Sequence, residues 1–518
     1  MNLATLVPLP VILPLVGAGI TLAAAGHQKV QRLTSLTVVT LVLAASIGLL
    51  WATDQRGPQV VHAGGWPPAE GITLVADRLS ALMLIVSSAV ILAVLRYSVG
   101  QGRSAFDEED DGEAPLPIFH PTLLVLTAGV STTFVSSDLF HLYVGFEMLL
   151  AASFVLLTLG GTADRVRAGI SYAYVSLLSS LVFLVAIALI YTSTGTVNLA
   201  ILAQRLDALP SGTSLALHSL LLLGFAIKAA VFPMSGWLPD SYPTAPAPVT
   251  AVFAGLLTKV GVYAMLRTQT LLFPDGRLNT LLLWAALLTM LIGILGAVAQ
   301  DDIKRMLSFT LVSHIGYMLF GIAIDSEQGY SSAIFYVVHH IAIQTTLFLV
   351  AGLIERFGGS TSLSRLGGLA GSAPLLGVLF FIPALNLAGI PPFSGFLGKV
   401  GLMQAGADLG TPLAYLLLAG SAVTSLLTLY AVSRVWGRAF WRAPAEAVPD
   451  EATHDQDSAL AYGVVMPTTV LVAVGVGLTV IAGPLFHITD RAAADLLDRT
   501  TYVRAVLGDD AAAQGWSP

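Results

Sequence analysis

The sequence predicts an all-α polytopic membrane protein of about fourteen transmembrane helices. The 518 residues are 55% hydrophobic and only 11% charged, with a mean hydropathy of +0.81, whereas soluble domains carry about 25% charged residues. Apolar runs long enough for the ~20 residues of a spanning helix recur along the whole chain. Inside those runs lie Glu147, Lys228, Lys259 and Lys399. A charge at bilayer depth costs at least ~2.5–3.5 kcal/mol, so such residues face the bundle interior and mark an ion or proton path.

Composition excludes several classes. There are no cysteines, which removes disulfides, Cys-ligated zinc, iron–sulfur clusters and c-type haem attachment. Any redox chemistry therefore belongs to another subunit. A net charge of −7 is no nucleic-acid signature, and part of it is the run Asp107-Glu108-Glu109-Asp110-Asp111 plus Glu113, which reads as a solvated loop.

The spans fall near 3–24, 33–51, 76–95, 116–136, 139–159, 168–191, 215–236, 246–267, 279–299, 306–324, 331–354, 373–405, 412–436 and 463–485. The first has no basic leader and reads as a retained span; its Pro8, Pro10 and Pro14 are tolerable where neighbouring helices re-satisfy the backbone. Between spans 2 and 3, Gly57-Pro58 and Gly64-Gly65-Trp66-Pro67-Pro68 predict a short surface hairpin or loop. Spans 7 and 12 are expected to be discontinuous. Pro233, Pro239 and Pro243 follow Lys228, and Gly389-Ile390-Pro391-Pro392-Phe393-Ser394-Gly395 precedes Lys399; proline removes a donor and clashes with the preceding turn. Interrupted helices at matching places in two halves point to inverted repeats around a central site. The expected units are helices 1–3 (1–97), a first repeat of helices 4–8 (116–267), a second of helices 9–13 (279–436), helix 14 (463–485) and a C-terminal tail (486–518).

Orientation follows from basic residues in the connections. The odd-numbered ones hold Lys29, Arg32, Arg96, Arg103, Arg165, Arg167, Lys304, Arg305, Arg356, Arg365, Arg434, Arg438 and Arg442. The even-numbered ones hold Arg56, Arg78, Arg205, Arg267 and Arg277. The odd connections are thus expected in the cytoplasm and both termini outside.

Glu147 sits about two turns into span 5, roughly 12 Å along it at 1.5 Å per residue. Its structural reading is a carboxylate buried for packing, and its functional reading is an ion-pair partner for Lys228. Burial lowers a lysine's pKa and a nearby carboxylate raises it, so a lysine that alternates between partnered and unpartnered takes up and releases a proton. Lys259 is mid-helix with no room to snorkel, and Lys399 follows the second break; an interfacial lysine is the structural alternative there. His314, His339 and His340 lie within spans 10 and 11 and are weaker relay candidates, since imidazole titrates near neutrality. No histidine pair has metal-ligand spacing with other ligands. Neither a metal site nor a cofactor is read from the sequence.

Several strings together resemble one family. They are Lys228-Ala229-Ala230-Val231-Phe232-Pro233, the stretch from Trp237 through Pro239, Pro243, Pro246 and Pro248 to Ala251, Gly255-Leu256-Leu257-Thr258-Lys259, Asp301-Asp302-Ile303-Lys304-Arg305-Met306-Leu307, and Asn386-Leu387-Ala388-Gly389-Ile390-Pro391-Pro392-Phe393-Ser394-Gly395-Phe396. The chain is similar over nearly its whole length to the antiporter-like subunits of respiratory complex I and of Mrp-type cation/proton antiporters. The resemblance implies fourteen helices with inverted repeats, a Glu147–Lys228 pair in spans 5 and 7, and a hydrophilic axis through Lys259, His340 and Lys399. Length, Lys399 in span 12 and the ending Tyr502-Val503-Arg504-Ala505-Val506-Leu507-Gly508 are similar to the D-type branch of Mrp antiporter subunits. Gln344 departs from the pattern, standing where many relatives have Lys, so the middle of the path rests on His340 or on water held by Gln344.

The resulting expectation is a subunit of a multisubunit monovalent cation/proton antiporter in a bacterial or archaeal cytoplasmic membrane, a secondary transporter component rather than an enzyme. Its partners are other membrane subunits of a hetero-oligomeric complex, H⁺, Na⁺ (with K⁺ or Li⁺ as alternatives) and the lipid bilayer, and no nucleic acid. A second reading is the proton-pumping membrane subunit of an NADH:quinone oxidoreductase or a membrane-bound hydrogenase. A third is a scaffold whose charges only hold helices together. All three share one fold.

Overall fold

The computed structural model describes residues 3–101, 116–443 and 461–509; the acidic run at 107–113 lies outside the described residues. After a 3-10 turn at Leu3–Leu6, α1 (Leu9–Ala23) and α2 (Gln28–Arg56) lead into β1 (Gln59–His62), paired antiparallel with β2 (Thr73–Ala76), and then α3 (Arg78–Gly100). The next group is α4 (Leu116–Val135), α5 (Leu139–Thr158), α6 (Ala163–Thr194), the short α7 (Leu199–Arg205), α8 (Ser211–Ala229) and the short α9 (Trp237–Ser241). It closes with α10 (Ala247–Val252), which runs through a π-helical turn at Phe253–Leu257 into α11 (Thr258–Leu271). A second group follows: α12 (Asn279–Val298), α13 (Ile303–Ile324), α14 (Glu327–Gly358), the short α15 (Leu369–Ser372), α16 (Pro374–Ala388), α17 (Ser394–Leu409) and α18 (Pro412–Val435), which ends in a π-helical turn at Trp436–Trp441. The chain finishes with α19 (Tyr462–Val480), α20 (Ala482–Leu497) and α21 (Arg499–Leu507).

Among the described residues, thirteen helical segments are long and apolar enough to cross a membrane. The span expected at 373–405 is divided between α16 and α17 at its Gly-Pro sequence, so the fourteen-span, all-α membrane fold stands. Burial orders the bundle. The most apolar windows of Ala247–Leu271 and Glu327–Gly358 are 100% buried, against 28% for Leu3–Ala23 and 33% for α19. The helices carrying Lys259 and His340 are therefore the centre, and α1 and α19 the rim.

The two groups share local features. Asp138 caps α5 and its segment bridges Asn198, while Asp302 caps α13 and its segment bridges Ser362 at the same sequence spacing. α6 and α14 each run 32 residues. α8 ends at Ala230 and α16 at Gly389, both left-handed, and each group has a π-helical turn in its last span. Five spans per group means that the second group starts from the opposite face to the first.

The structure refines three expectations. The Gly/Pro segment between spans 2 and 3 is a hairpin, but β2 is buried rather than on the surface. Several basic residues assigned to connections stand on helices, because the helices outrun their apolar stretches. Lys304 is 7% exposed and its Nζ lies 2.5 Å from Glu355, Arg434 is in α18, and Arg267 is inside α11 at 5% exposure. The tail packs on the bundle over its described residues: Phe486 of α20 stacks on Phe335 at 4.0 Å, and Tyr502 OH donates to Ser137 Oγ at 2.8 Å.

Close helix approach relies on small residues, as in membrane bundles generally. At the crossing of α3 and α19, a Cβ on Gly100 would lie 1.9 Å from the carbonyl oxygen of Gly463. Gly100→Val is expected to destabilise by about 1–3 kcal/mol, the usual cost of overpacking, read as a lower apparent Tm in detergent. Gly19→Val, where nothing lies within 4 Å, should leave the Tm unchanged.

Candidate functional site

Each intramembrane lysine lies beside an irregularity in its own helix. In span 12 the left-handed Gly389 (φ 84°) ends α16, and a helix end leaves its last carbonyls without intrahelical partners. Lys399 supplies donors: its Nζ reaches Leu387 O at 3.3 Å, Ala388 O at 3.0 Å and Ser425 Oγ at 3.1 Å. A cation at a helix C-terminus is also favoured by the helix dipole. The same Nζ lies 4.9 Å from the ring centroid of Tyr317, whose OH donates to Ser421 O at 2.7 Å.

Lys259 is fully buried, and its Nζ donates to Ala254 O at 2.6 Å. Ala254 belongs to the π-helical turn, where the wider ladder loosens the usual i→i−4 pairing. Such turns are frequent at functional sites. A few residues on, Gly261 packs so closely that a Cβ would meet Ala229 N at 2.9 Å. The helix of Lys259 thus rests on the backbone next to Lys228.

Lys228 is 4% exposed in the last turn of α8. Its Nζ lies 5.8 Å from the ring centroid of Phe146, the neighbour of Glu147. Glu147 Oε1 is buried without a hydrogen-bond partner. Among the described residues no ion pair within 4.0 Å joins Glu147 to Lys228, although the two are near enough to interact electrostatically. The expected partners are not in contact, and Lys228 Nζ lies over the ring of Phe146 instead.

The histidines bridge toward Lys399. His314 Nδ1 bonds Tyr336 OH at 2.8 Å, and the His314 and His340 rings are 5.1 Å apart. His339 Nδ1 bonds Ser394 Oγ at 3.0 Å, inside the span 12 break. Tyr317 and Tyr336 lie 5.4 Å apart and fill the space between the imidazoles and Lys399. Gln344 Nε2 donates to Leu307 O at 2.7 Å. His314 Nε2, His339 Nε2, both nitrogens of His340, Gln344 Oε1, Thr258 Oγ1, Ser421 Oγ and Thr424 Oγ1 are buried without a partner.

His314, His339, His340 and Lys399 therefore form one cluster through Tyr317 and Tyr336, with Lys259 close to its His314 and His340 and the helix end of Lys228 packed on the helix of Lys259. Sequence reading missed Tyr317, Tyr336 and the α18 hydroxyls. Their signal was present: Ser421, Thr424, Ser425 and Thr428 recur at helical spacing within an apolar span, and Tyr317 and Tyr336 stand three residues from His314 and His339. No group of His, Cys, Asp or Glu among the described residues is arranged to hold a metal ion.

A multi-pass helical bundle with two broken helices and buried lysines and imidazoles defines a class of polytopic membrane protein with intramembrane ionisable residues. The family model described as "NADH:quinone oxidoreductase/Mrp antiporter, TM" matches residues 136–428. The chain is 37% identical over 505 residues to the D component of a Na(+)/H(+) antiporter of Alkalihalophilus pseudofirmus, covering 97% of this chain and 99% of the relative. It is 33% identical to the Bacillus subtilis protein of the same description, covering 96% and 98%. Among solved structures, a chain of the Mrp complex from Dietzia sp. DQ12-45-1b superposes with a TM-score of 0.89 at 33% identity, covering 98% of this chain and all of that one. A chain of respiratory complex I from Thermus thermophilus gives 0.77 at 26%, covering 95% and 99%. The chain belongs to the NADH:quinone oxidoreductase/Mrp antiporter family, on the D-type branch of its Mrp members.

Proposed function

We propose that this chain is the proton-conducting subunit of a hetero-oligomeric monovalent cation/proton antiporter that uses proton influx to drive Na⁺ efflux across a bacterial or archaeal cytoplasmic membrane. Protons load the Lys228 region under the control of Glu147, pass Lys259 and the His340–His314 pair, and reach Lys399, with His339 beside the span 12 break. The observation that carries this reading is the placement of the unpartnered buried polar atoms. Most of those on α11, α13, α14 and α18 belong to Thr258, His314, His339, His340, Gln344, Ser421 and Thr424, on the helices that carry or contact the buried lysines and histidines. Buried polar groups ordinarily find partners, and a file of bridging waters between titratable side chains gives them partners and a proton path together. Gln344 holds its end of that file through its free Oε1.

The redox-pump alternative draws on the complex I likeness, but identity is higher, and coverage as complete, toward the antiporter relatives. The test uses everted vesicles from antiporter-deficient cells expressing the whole operon, with an imposed pH gradient followed by dye fluorescence and no NADH or hydrogen present. Addition of NaCl should collapse the gradient, and His340→Ala should slow that collapse by about 100-fold or more, the lower end of the range for loss of a proton-transferring side chain. No response to Na⁺ or K⁺ in vesicles containing the assembled complex would sink the antiporter reading in favour of the redox pump.

A further inference from the structure

Four helices that carry axis residues are joined at one end of the bundle by a chain of hydrogen bonds outside the axis. His218 Nε2 on α8 bonds Gln269 Oε1 on α11 at 2.9 Å, Gln269 Nε2 donates to Asn279 Oδ1 of α12 at 3.0 Å, and Asn279 Nδ2 donates to Asp325 Oδ2 at 3.1 Å. Asp325 caps the end of α13, and its other oxygen accepts from Tyr330 OH of α14 at 2.7 Å. His218, Gln269 and Tyr330 are at most 2% exposed.

The chain has a direction fixed by its end. An ionised carboxylate only accepts, so Asn279 turns its NH₂ to Asp325 and its oxygen to Gln269. Gln269 then offers its own oxygen to His218, which must carry a proton on Nε2. The backbone is shaped to this link. Asp325 is a non-glycine residue at positive φ (55°), a conformation that persists where surroundings hold it. Gly276 (φ 65°) lies over the Asn279–Asp325 contact, where a Cβ would meet Asn279 Nδ2 at 2.8 Å and Asp325 Oδ2 at 3.2 Å.

The network also keeps step with the axis. From 218 to 228 on α8, 269 back to 259 on α11 and 330 to 340 on α14, it stands the same number of residues, ~15 Å of helix rise, from Lys228, Lys259 and His340. We propose that His218–Gln269–Asn279–Asp325–Tyr330 is a positioning network that ties the Lys228 and Lys259 helices of the first repeat to the α13–α14 turn of the second, holding both lysines in register with the histidines. It rests on the proton-axis reading above. Four hydrogen bonds in series give a fixed length, so a shift of α8 or α11 is transmitted to α14.

Asn279→Leu removes the middle link and leaves both ends in place. Gln269→Glu reverses one: the new carboxylate accepts from His218 and from Asn279, which then turns its oxygen toward Asp325. Adding Asp325→Asn restores a donor there and completes the chain in the new sense. Exchange per assembled complex should fall about fivefold or more in Asn279→Leu and in Gln269→Glu, and return to within about twofold of the parent in Gln269→Glu/Asp325→Asn, as expected for coupled positions. The half-saturating Na⁺ concentration should not change in any of them. Parental rates in Asn279→Leu, or no recovery in the double variant, would overturn the network; if Asn279→Leu does not assemble, the Gln269 and Asp325 variants decide. Lys228→Ala in the same vesicles separates the two readings. Exchange surviving there removes the axis itself, whereas exchange lost there but intact in Asn279→Leu removes only the network.

Discussion

Lys228→Ala or Glu147→Gln should reduce cation/proton exchange by about 100-fold or more, on the scale of removing a side chain that transfers a proton, while the complex assembles at normal yield. Lys228 is 4% exposed at a helix end, with its Nζ 5.8 Å from the ring centroid of Phe146. Glu147 Oε1 has no hydrogen-bond partner. A carboxylate and an ammonium held near each other without contact form a pair with two states: together, favouring the charged lysine, and apart, favouring its neutral form. The check is sodium-dependent collapse of a pH gradient in everted vesicles, normalised to assembled complex. Near-normal exchange in either variant at normal assembly would remove the Glu147–Lys228 pair from the mechanism. Loss of assembly in both variants would favour the scaffold role.

Arg267→Ala should cost stability rather than a transport step, by about 3–5 kcal/mol, the range for leaving one partner of a buried ion pair uncompensated. Arg267 Nη2 lies 2.6 Å from Asp77 Oδ2, with both side chains at most 6% exposed. Asp77 also caps α3 through Ser80 N, and the guanidinium lies over the Tyr263 and Tyr502 rings. The site fastens the start of α3, the helix of Lys259 and the tail helix α21 together. The expected result is a large fall in the yield of assembled complex and in its apparent Tm. Arg267→Met with Asp77→Asn should recover part of the loss, because it removes the stranded charge and keeps the cap. Arg277→Ala, whose pair with Asp275 is 40% and 34% exposed, should change the Tm little, since exposed pairs contribute about 0–1 kcal/mol. Equal losses from Arg267→Ala and Arg277→Ala would show that burial of the Arg267 pair is not what matters.

The spans, the two breaks and the buried charges were legible in the sequence because each depends on local quantities. An apolar run has spanning length or it does not, a proline removes its own donor, and a lysine among leucines carries its desolvation penalty wherever the helix is placed. Glu147, Lys228, Lys259 and Lys399 could be named for that reason. Lys304 and Arg267 were assigned to connections by the same reasoning and stand buried, because Glu355 and Asp77 come to them from distant helices. Such pairing offsets the penalty that a local count applies in full. The tertiary structure alone decided which side chains meet: Tyr317 and Tyr336 between the histidines and Lys399, Ser425 on its ammonium, and His218 tied to Asp325 across four helices. Those contacts join residues far apart along the chain, and their geometry depends on how the helices cross, which no single segment's composition encodes.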